Sequence, residues 1–156
     1  MSGKDYPKIW FGYTLPTLGD FMTDKELLLT AIKEMEKSYS PYSSCKVGAA
    51  LLCKNGKVYT GTNIENAAFS PTICAERVAI FKAVSDGERE FSKIAVAGGK
   101  DGIVDGIFAP CGVCRQVLRE FCSDDFQIIL GENDEEYKVV TLKDLLPLSF
   151  SPDNVR

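Results

Sequence analysis

Val47-Gly48-Ala49-Ala50-Leu51-Leu52-Cys53-Lys54-Asn55-Gly56-Lys57-Val58-Tyr59-Thr60-Gly61-Thr62 is the stretch on which the fold turns. Residues 47–52 are a short apolar segment, and Asn55-Gly56 supplies the positive φ angles of a tight hairpin. Residues 57–62 then return as a second strand. The small residues at 48–50 predict close packing over the first strand. Upstream, Thr23 and Glu26 form a capping box that opens a helix. Leu28, Ile32, Met35 and Tyr39 follow at helical spacing and predict one buried face. Pro41 ends that helix, and Ser40-Pro41-Tyr42-Ser43 reads as a turn. Downstream, 63–70 is polar and irregular, and Pro71-Thr72 opens a second helix over about 73–85, with Gly87 as its C-terminal cap. A buried strand over 93–97 ends at Gly98-Gly99. After a loop at 100–106, a third helix starts near Cys111 and runs to about Phe121. Strands at 127–130 and 137–140 follow, and the pair Thr141/Asp144 caps a short last helix closed by Pro147. Helix, strand, strand, helix, strand, helix, strand, strand, helix predicts an α/β fold. Its form is a three-layer α/β/α sandwich around a five-stranded mixed sheet.

The 156 residues suit one domain, expected over 23–156. Residues 1–22 hold Pro7, Gly12, Pro16 and Gly19 among several aromatics and show no sustained period, so they read as an N-terminal arm. Apolar residues make up 45% and charged residues 26%, as in a soluble globular protein. The net charge of -4 gives no general attraction for a phosphate backbone, so nucleic acid is not an expected partner. No run of about 18 apolar residues occurs and no apolar signal core follows the first residues, so the expectation is no membrane association and a cytoplasmic location. In that compartment the six cysteines are expected to be reduced. There is no histidine, so a transition-metal site must use sulfur or carboxylate.

Three cysteines are placed for chemistry. Cys74 lies at one predicted helix start, and Cys111 and Cys114 lie at another, as Cys-x-x-Cys after Pro110. Thiolates there face unpaired backbone N–H groups and the positive end of a helix. Three protein ligands leave a fourth position for water, the catalytic pattern for zinc. Cys122 lies two helical turns past Cys114, roughly 12 Å along the axis, too far for the same ion. Alone, the Cys-x-x-Cys fits a redox dithiol or half a structural zinc knuckle equally well. Cys74-Ala75-Glu76 adds a carboxylate about 200° round the helix from a ligand, near the metal without pointing at it. That suits a group that moves protons. The ordinary reading of one helical glutamate is a solvated side chain.

Thr62-Asn63-Ile64-Glu65-Asn66-Ala67, Cys74-Ala75-Glu76-Arg77 and Pro110-Cys111-Gly112-Val113-Cys114-Arg115-Gln116 resemble the small homotetrameric zinc-dependent cytidine deaminases. The likeness continues at Pro41-Tyr42-Ser43, Val47–Leu51 and Leu145-Leu146-Pro147, spanning about 24–152. It implies one Zn2+ per chain on Cys74, Cys111 and Cys114. It also implies hydrolysis of cytidine and deoxycytidine to uridine and deoxyuridine with release of ammonia. Hydroxide generated on zinc attacks C4, with Glu76 as proton shuttle. Arg77 resembles the arginine that tunes the ligand sulfurs, with Arg115 a weaker second candidate. Asn63 and Glu65 resemble the pair that binds the ribose 3'-hydroxyl. Their ordinary readings are an Asx turn and a solvated charge. Phe69 and Phe150 are aromatic wall candidates, Phe150 matching a residue supplied by a neighbouring subunit. Cys45 stands where the family has a phenylalanine against the pyrimidine. The alternatives are a blasticidin-S-type aminohydrolase, similar in size and zinc site, and a non-catalytic zinc-stabilised module.

Overall fold

The computed structural model describes residues 22–133 and 135–155, so all of the expected N-terminal arm except Met22 lies outside the described residues. The chain runs α1 (Asp24–Glu34), a 3-10 turn (Met35–Lys37), β1 (Cys45–Cys53), β2 (Val58–Thr62), α2 (Ala75–Ser85), β3 (Phe91–Lys100), α3 (Gly112–Phe121), β4 (Gln127–Gly131), β5 (Tyr137–Thr141), α4 (Leu142–Leu145) and a final 3-10 turn (Pro152–Asn154). The sheet order is β2-β1-β3-β4-β5. β3 and β4 are parallel, joined by the α3 crossover, and the other neighbours are antiparallel. The mixed five-stranded sheet and its element order are those the sequence predicts.

Strand alternation sends side chains to two cores. Ala49, Leu51, Ile94, Val96, Ile128 and Leu130 pack with Ala79, Ile80 and Leu118 from α2 and α3. Ala50, Leu52, Ala95, Ala97 and Ile129 pack with Leu27, Leu28, Ala31 and Met35 beside α1. With helices on both faces, β1 is buried without a break from Val47 to Cys53, which is why it reads as an apolar run rather than an alternating one. The expected close packing is there. A Cβ on Gly48 would lie 1.9 Å from the Ala31 carbonyl oxygen, and one on Gly61 would lie 2.1 Å from that of Ala75. Glycine at these two places lets α1 and α2 sit directly on the sheet.

Local chemistry sets the ends of α1. Thr23 Oγ1 accepts from the Glu26 N–H at 3.2 Å, while the Glu26 carboxylate accepts from the Thr23 N–H at 2.8 Å. Thr141 and Asp144 repeat this at α4. Four expectations need correction. Tyr39 is not on the helical face: α1 ends at Glu34, and Tyr39 is exposed, its backbone bonded to Asn63 and Glu65. In the β1–β2 turn only Gly56 has positive φ (+88°), because the loop closed by the Cys53 N–H donating to the Lys57 carbonyl spans three residues and asks it of one. β3 does not stop at Gly98-Gly99 but continues to Lys100, paired with Cys45–Val47 of the longer β1. α2 begins at Ala75 rather than near 73, since Ile73 bridges to Ile64.

Candidate active site

Cys74 and Cys111 are the N-cap residues of α2 and α3, both with extended backbone (φ -80°, ψ 156°; φ -67°, ψ 165°). An N-cap side chain normally accepts from its own helix. Neither cysteine does so. Their sulfurs turn toward each other, 3.8 Å apart, and Cys114, one turn into α3, brings its sulfur 3.6 Å from that of Cys111. All three sulfurs lie within 4.8 Å of one another, and they are the one such cluster among the described residues. A tetrahedral zinc with Zn–S of about 2.3 Å spaces its sulfurs about 3.8 Å apart, so the donor set fits zinc in both chemistry and span. Cys122 is buried in the core on the α3 side of the sheet and takes no part.

The neighbours of Cys74 favour its thiolate. Hydrogen bonds from Cys114, then from Arg77 and Cys111, pull the Cys74 thiol down to about 5 against the resistance of burial. The same hydrogen bond, with burial, holds the Cys114 proton far above the ordinary thiol value. Arg77 reaches the Cys74 sulfur at 3.5 Å and the Thr72 carbonyl at 3.4 Å through the same terminal nitrogen. Its Nε is buried without a partner. Arg115 is elsewhere: it donates to the Pro110 and Leu145 carbonyls, each at 2.7 Å, and ties α3 to α4. Neither of these bonds goes to a sulfur.

Glu76, in the first turn of α2, is 4% exposed. Burial lifts its carboxyl to about 7, and the Cys74 thiolate adds to the rise. This is no solvated surface glutamate. Its carboxyl can hold or release a proton near neutral pH.

Asn63 is buried just after β2. Its Oδ1 accepts from the Val47 N–H at 2.8 Å and from the Ser38 hydroxyl at 2.6 Å, and its Nδ2 donates to the Cys45 carbonyl at 2.8 Å. Three of its four hydrogen-bonding positions are thus used within the chain, leaving one N–H for a ligand. Glu65 is half-buried, and its carboxylate accepts from the Ser43 hydroxyl, from the Tyr42 N–H at 2.8 Å and from the Ser43 N–H at 3.3 Å. The Ser43 hydroxyl, more than any other partner, holds its carboxyl below the usual range. Glu65, Phe69, Tyr42, Ser43 and Thr72 line a cleft of about 330 Å³. Tyr42 and Phe69 meet edge to face at 6.5 Å. Phe150 lines a separate hollow with Gln116, Glu120, Ser151, Pro152 and Val155. Cys45, half-buried at the start of β1, engages Asn63 and Ser43 through its backbone. Sequence reasoning missed Ser38 and Ser43 as parts of the site. Ser43 in a turn looks like a turn former and Ser38 like a polar position late in a helix, and their partners lie 22 and 25 residues away.

Fold and site together define a zinc-dependent hydrolase in which three cysteine sulfurs at two helix starts stand beside a buried carboxyl. Residues 22–130 match the family described as the cytidine and deoxycytidylate deaminase zinc-binding region, and the chain belongs to that family. The cytidine deaminase of Sporosarcina psychrophila is 44% identical over 86% of this chain and 96% of its own. The blasticidin-S deaminase of Bacillus cereus is 32% identical over 82% and 92%. The solved cytidine deaminase of Burkholderia pseudomallei superposes with a TM-score of 0.76 at 43% identity, covering 83% of this chain and all of that one.

Proposed function

We propose that the chain hydrolyses the 4-amino group of cytidine and deoxycytidine, giving uridine and deoxyuridine with release of ammonia. The observation that carries this reading is the Cys74–Cys111–Cys114 triad with Glu76 buried beside it. Cys74, Cys111 and Cys114 hold one Zn2+ per chain, and zinc held there acts as a Lewis acid that lets water give up a proton near neutral pH. Glu76 takes that proton as the oxygen adds to C4 and delivers it to N3, then takes the remaining proton of the C4 hydroxyl and gives it to the departing amine as the carbonyl forms and the C4–N bond breaks. A carboxyl lifted to about 7 suits both halves of the task. Three thiolates outweigh the charge of the ion by one, and the Arg77 guanidinium draws charge back from Cys74. Asn63 presents its free N–H, and Glu65 its remaining lone pairs, to the sugar hydroxyls. The Glu65 charge also discourages a nucleotide phosphate. Phe69 walls the cleft.

The active form in this reading is a cytoplasmic homotetramer whose sites borrow Phe150 from a neighbouring chain. In support, Tyr42, Phe69 and Phe150 are 55%, 79% and 62% exposed, and Phe150 stands apart from the cleft of its own chain. Sedimentation at assay concentration is expected to show four chains, and an active monomer overturns the assembly. No helix among the described residues is long and apolar enough to cross a membrane.

The activity itself is tested by following the loss of cytidine absorbance with and without a chelator. Deoxycytidine, cytosine and blasticidin S run alongside. Turnover of both nucleosides, abolished by chelation, is the expected result. Turnover of the antibiotic alone would favour the second reading, which rests on the likeness to the Bacillus cereus enzyme. Zinc bound without any turnover would leave a structural module.

A further inference from the structure

We propose that Ser43 is a positioning residue that sets the enzyme's recognition of the sugar by fixing the Glu65 carboxylate, an inference that rests on Glu65 binding the 3'-hydroxyl. A partly exposed glutamate outside helix and strand ordinarily samples several rotamers. Here the carboxylate is gripped at both oxygens. The Ser43 hydroxyl donates to Oε1, and the Tyr42 and Ser43 N–H groups converge on Oε2. That hydroxyl in turn accepts from the Cys45 N–H at 3.0 Å, so the carboxylate is referenced to the first residue of β1. The turn carrying Ser43 is itself held. Ser44 has φ +59°, its N–H donates to the Ser40 carbonyl at 3.1 Å, and its own carbonyl accepts from the Asp101 N–H at 2.8 Å.

The bracket extends to the neighbouring ligand group. The Tyr39 N–H donates to the Asn63 carbonyl at 3.2 Å, and the Glu65 N–H donates to the Tyr39 carbonyl at 2.8 Å. Segment 38–45 therefore clasps 63–65 by backbone at its near end and by Ser43 at its far end. The arrangement leaves Glu65 ionised, with spare lone pairs and no donor. It selects for an alcohol O–H and against an ether or phosphate oxygen at the same place. A hydroxyl in the turn does this without a second charge. A lysine would neutralise the carboxylate, and an alanine would leave one oxygen unheld.

Ser43→Ala, Ser43→Thr and Glu65→Gln are compared with the parent as zinc-loaded enzyme, on cytidine and on 3'-deoxycytidine. Ser43→Ala is expected to raise KM for cytidine about 3–10-fold with kcat within about twofold, to leave KM for 3'-deoxycytidine nearly unchanged, and to be rescued by Ser43→Thr. Equal losses on both nucleosides, or an unchanged KM for cytidine while Glu65→Gln raises it, overturn the positioning role alone. An unchanged KM in Glu65→Gln removes the sugar reading of Glu65, and this inference with it.

Discussion

At the scale of single residues, Glu76 and Cys45 are the two positions whose replacement separates turnover from binding. Glu76 is buried where an unpaired carboxylate is strongly disfavoured, and the proposed reading gives it the task of carrying protons. Glu76→Gln keeps the shape and removes the proton carrier. The expected outcome is a turnover number lower by at least about 10²–10⁴-fold with zinc content unchanged, checked by steady-state kinetics beside elemental analysis. A variant within tenfold of the parent refutes the role. Cys45 offers a small, half-buried thiol at the head of β1. Cys45→Phe is expected to supply the missing ring face and lower KM for cytidine about 2–10-fold, with little change in kcat. A raised KM means that another group already fills the space.

Among the elements, α2 is the one whose seating matters most, because it carries Cys74 at its cap and Glu76 in its first turn. Gly61 under it admits no Cβ, which would also meet the Ala79 nitrogen at 2.6 Å. Gly61→Ala must lift the helix, and is expected to cost about 3 kcal/mol and to weaken zinc binding in a competition titration. Gly112→Ala is the matched control. A Cβ there meets nothing within 4 Å at the start of α3, so stability is expected to hold or rise slightly. Both capping boxes, the order of the elements and the sulfur triad were legible in the sequence, because each is written in residues no more than a few positions apart or in helix-start chemistry. The end of α1, the reach of β3 to Lys100 and the service of Asn63 to Val47, Cys45 and Ser38 were not. They depend on partners that only the folded sheet brings together. The buried face of α1 shows the limit of periodicity. Leu27 and Ala31 lie in the core with Leu28 and Met35, while Tyr39 falls past a 3-10 turn that breaks the count.

For the whole molecule, the ion is expected to be part of the stability. A ligand that binds only the folded state adds about 3–4 kcal/mol at a hundred to a thousand times its dissociation constant. Chelation is therefore expected to lower Tm by about 10 °C, read by calorimetry with and without added zinc. The thiols report the same event. Burial pushes Cys53 and Cys122 up to about 11 and 12, leaving almost no thiolate at pH 8. Iodoacetamide is expected to label Cys45 in the zinc-loaded protein and to add Cys74 and Cys111 after chelation, sparing Cys53 and Cys122, with the sites read by mass spectrometry.

The single parallel step in the sheet also sets an order of events for a chain leaving a ribosome. Up to Lys100 a nascent chain holds α1, the hairpin, α2 and β3, enough for a three-stranded antiparallel platform, but it has only one of the three sulfurs. The other two arrive on α3, the same crossover that must be laid down before β4 can dock beside β3. Closing the sheet and closing the metal site are thus one assembly step, made only after Cys111 and Cys114 have been added, and until then Cys74 waits as an unmated thiol on an unfinished domain.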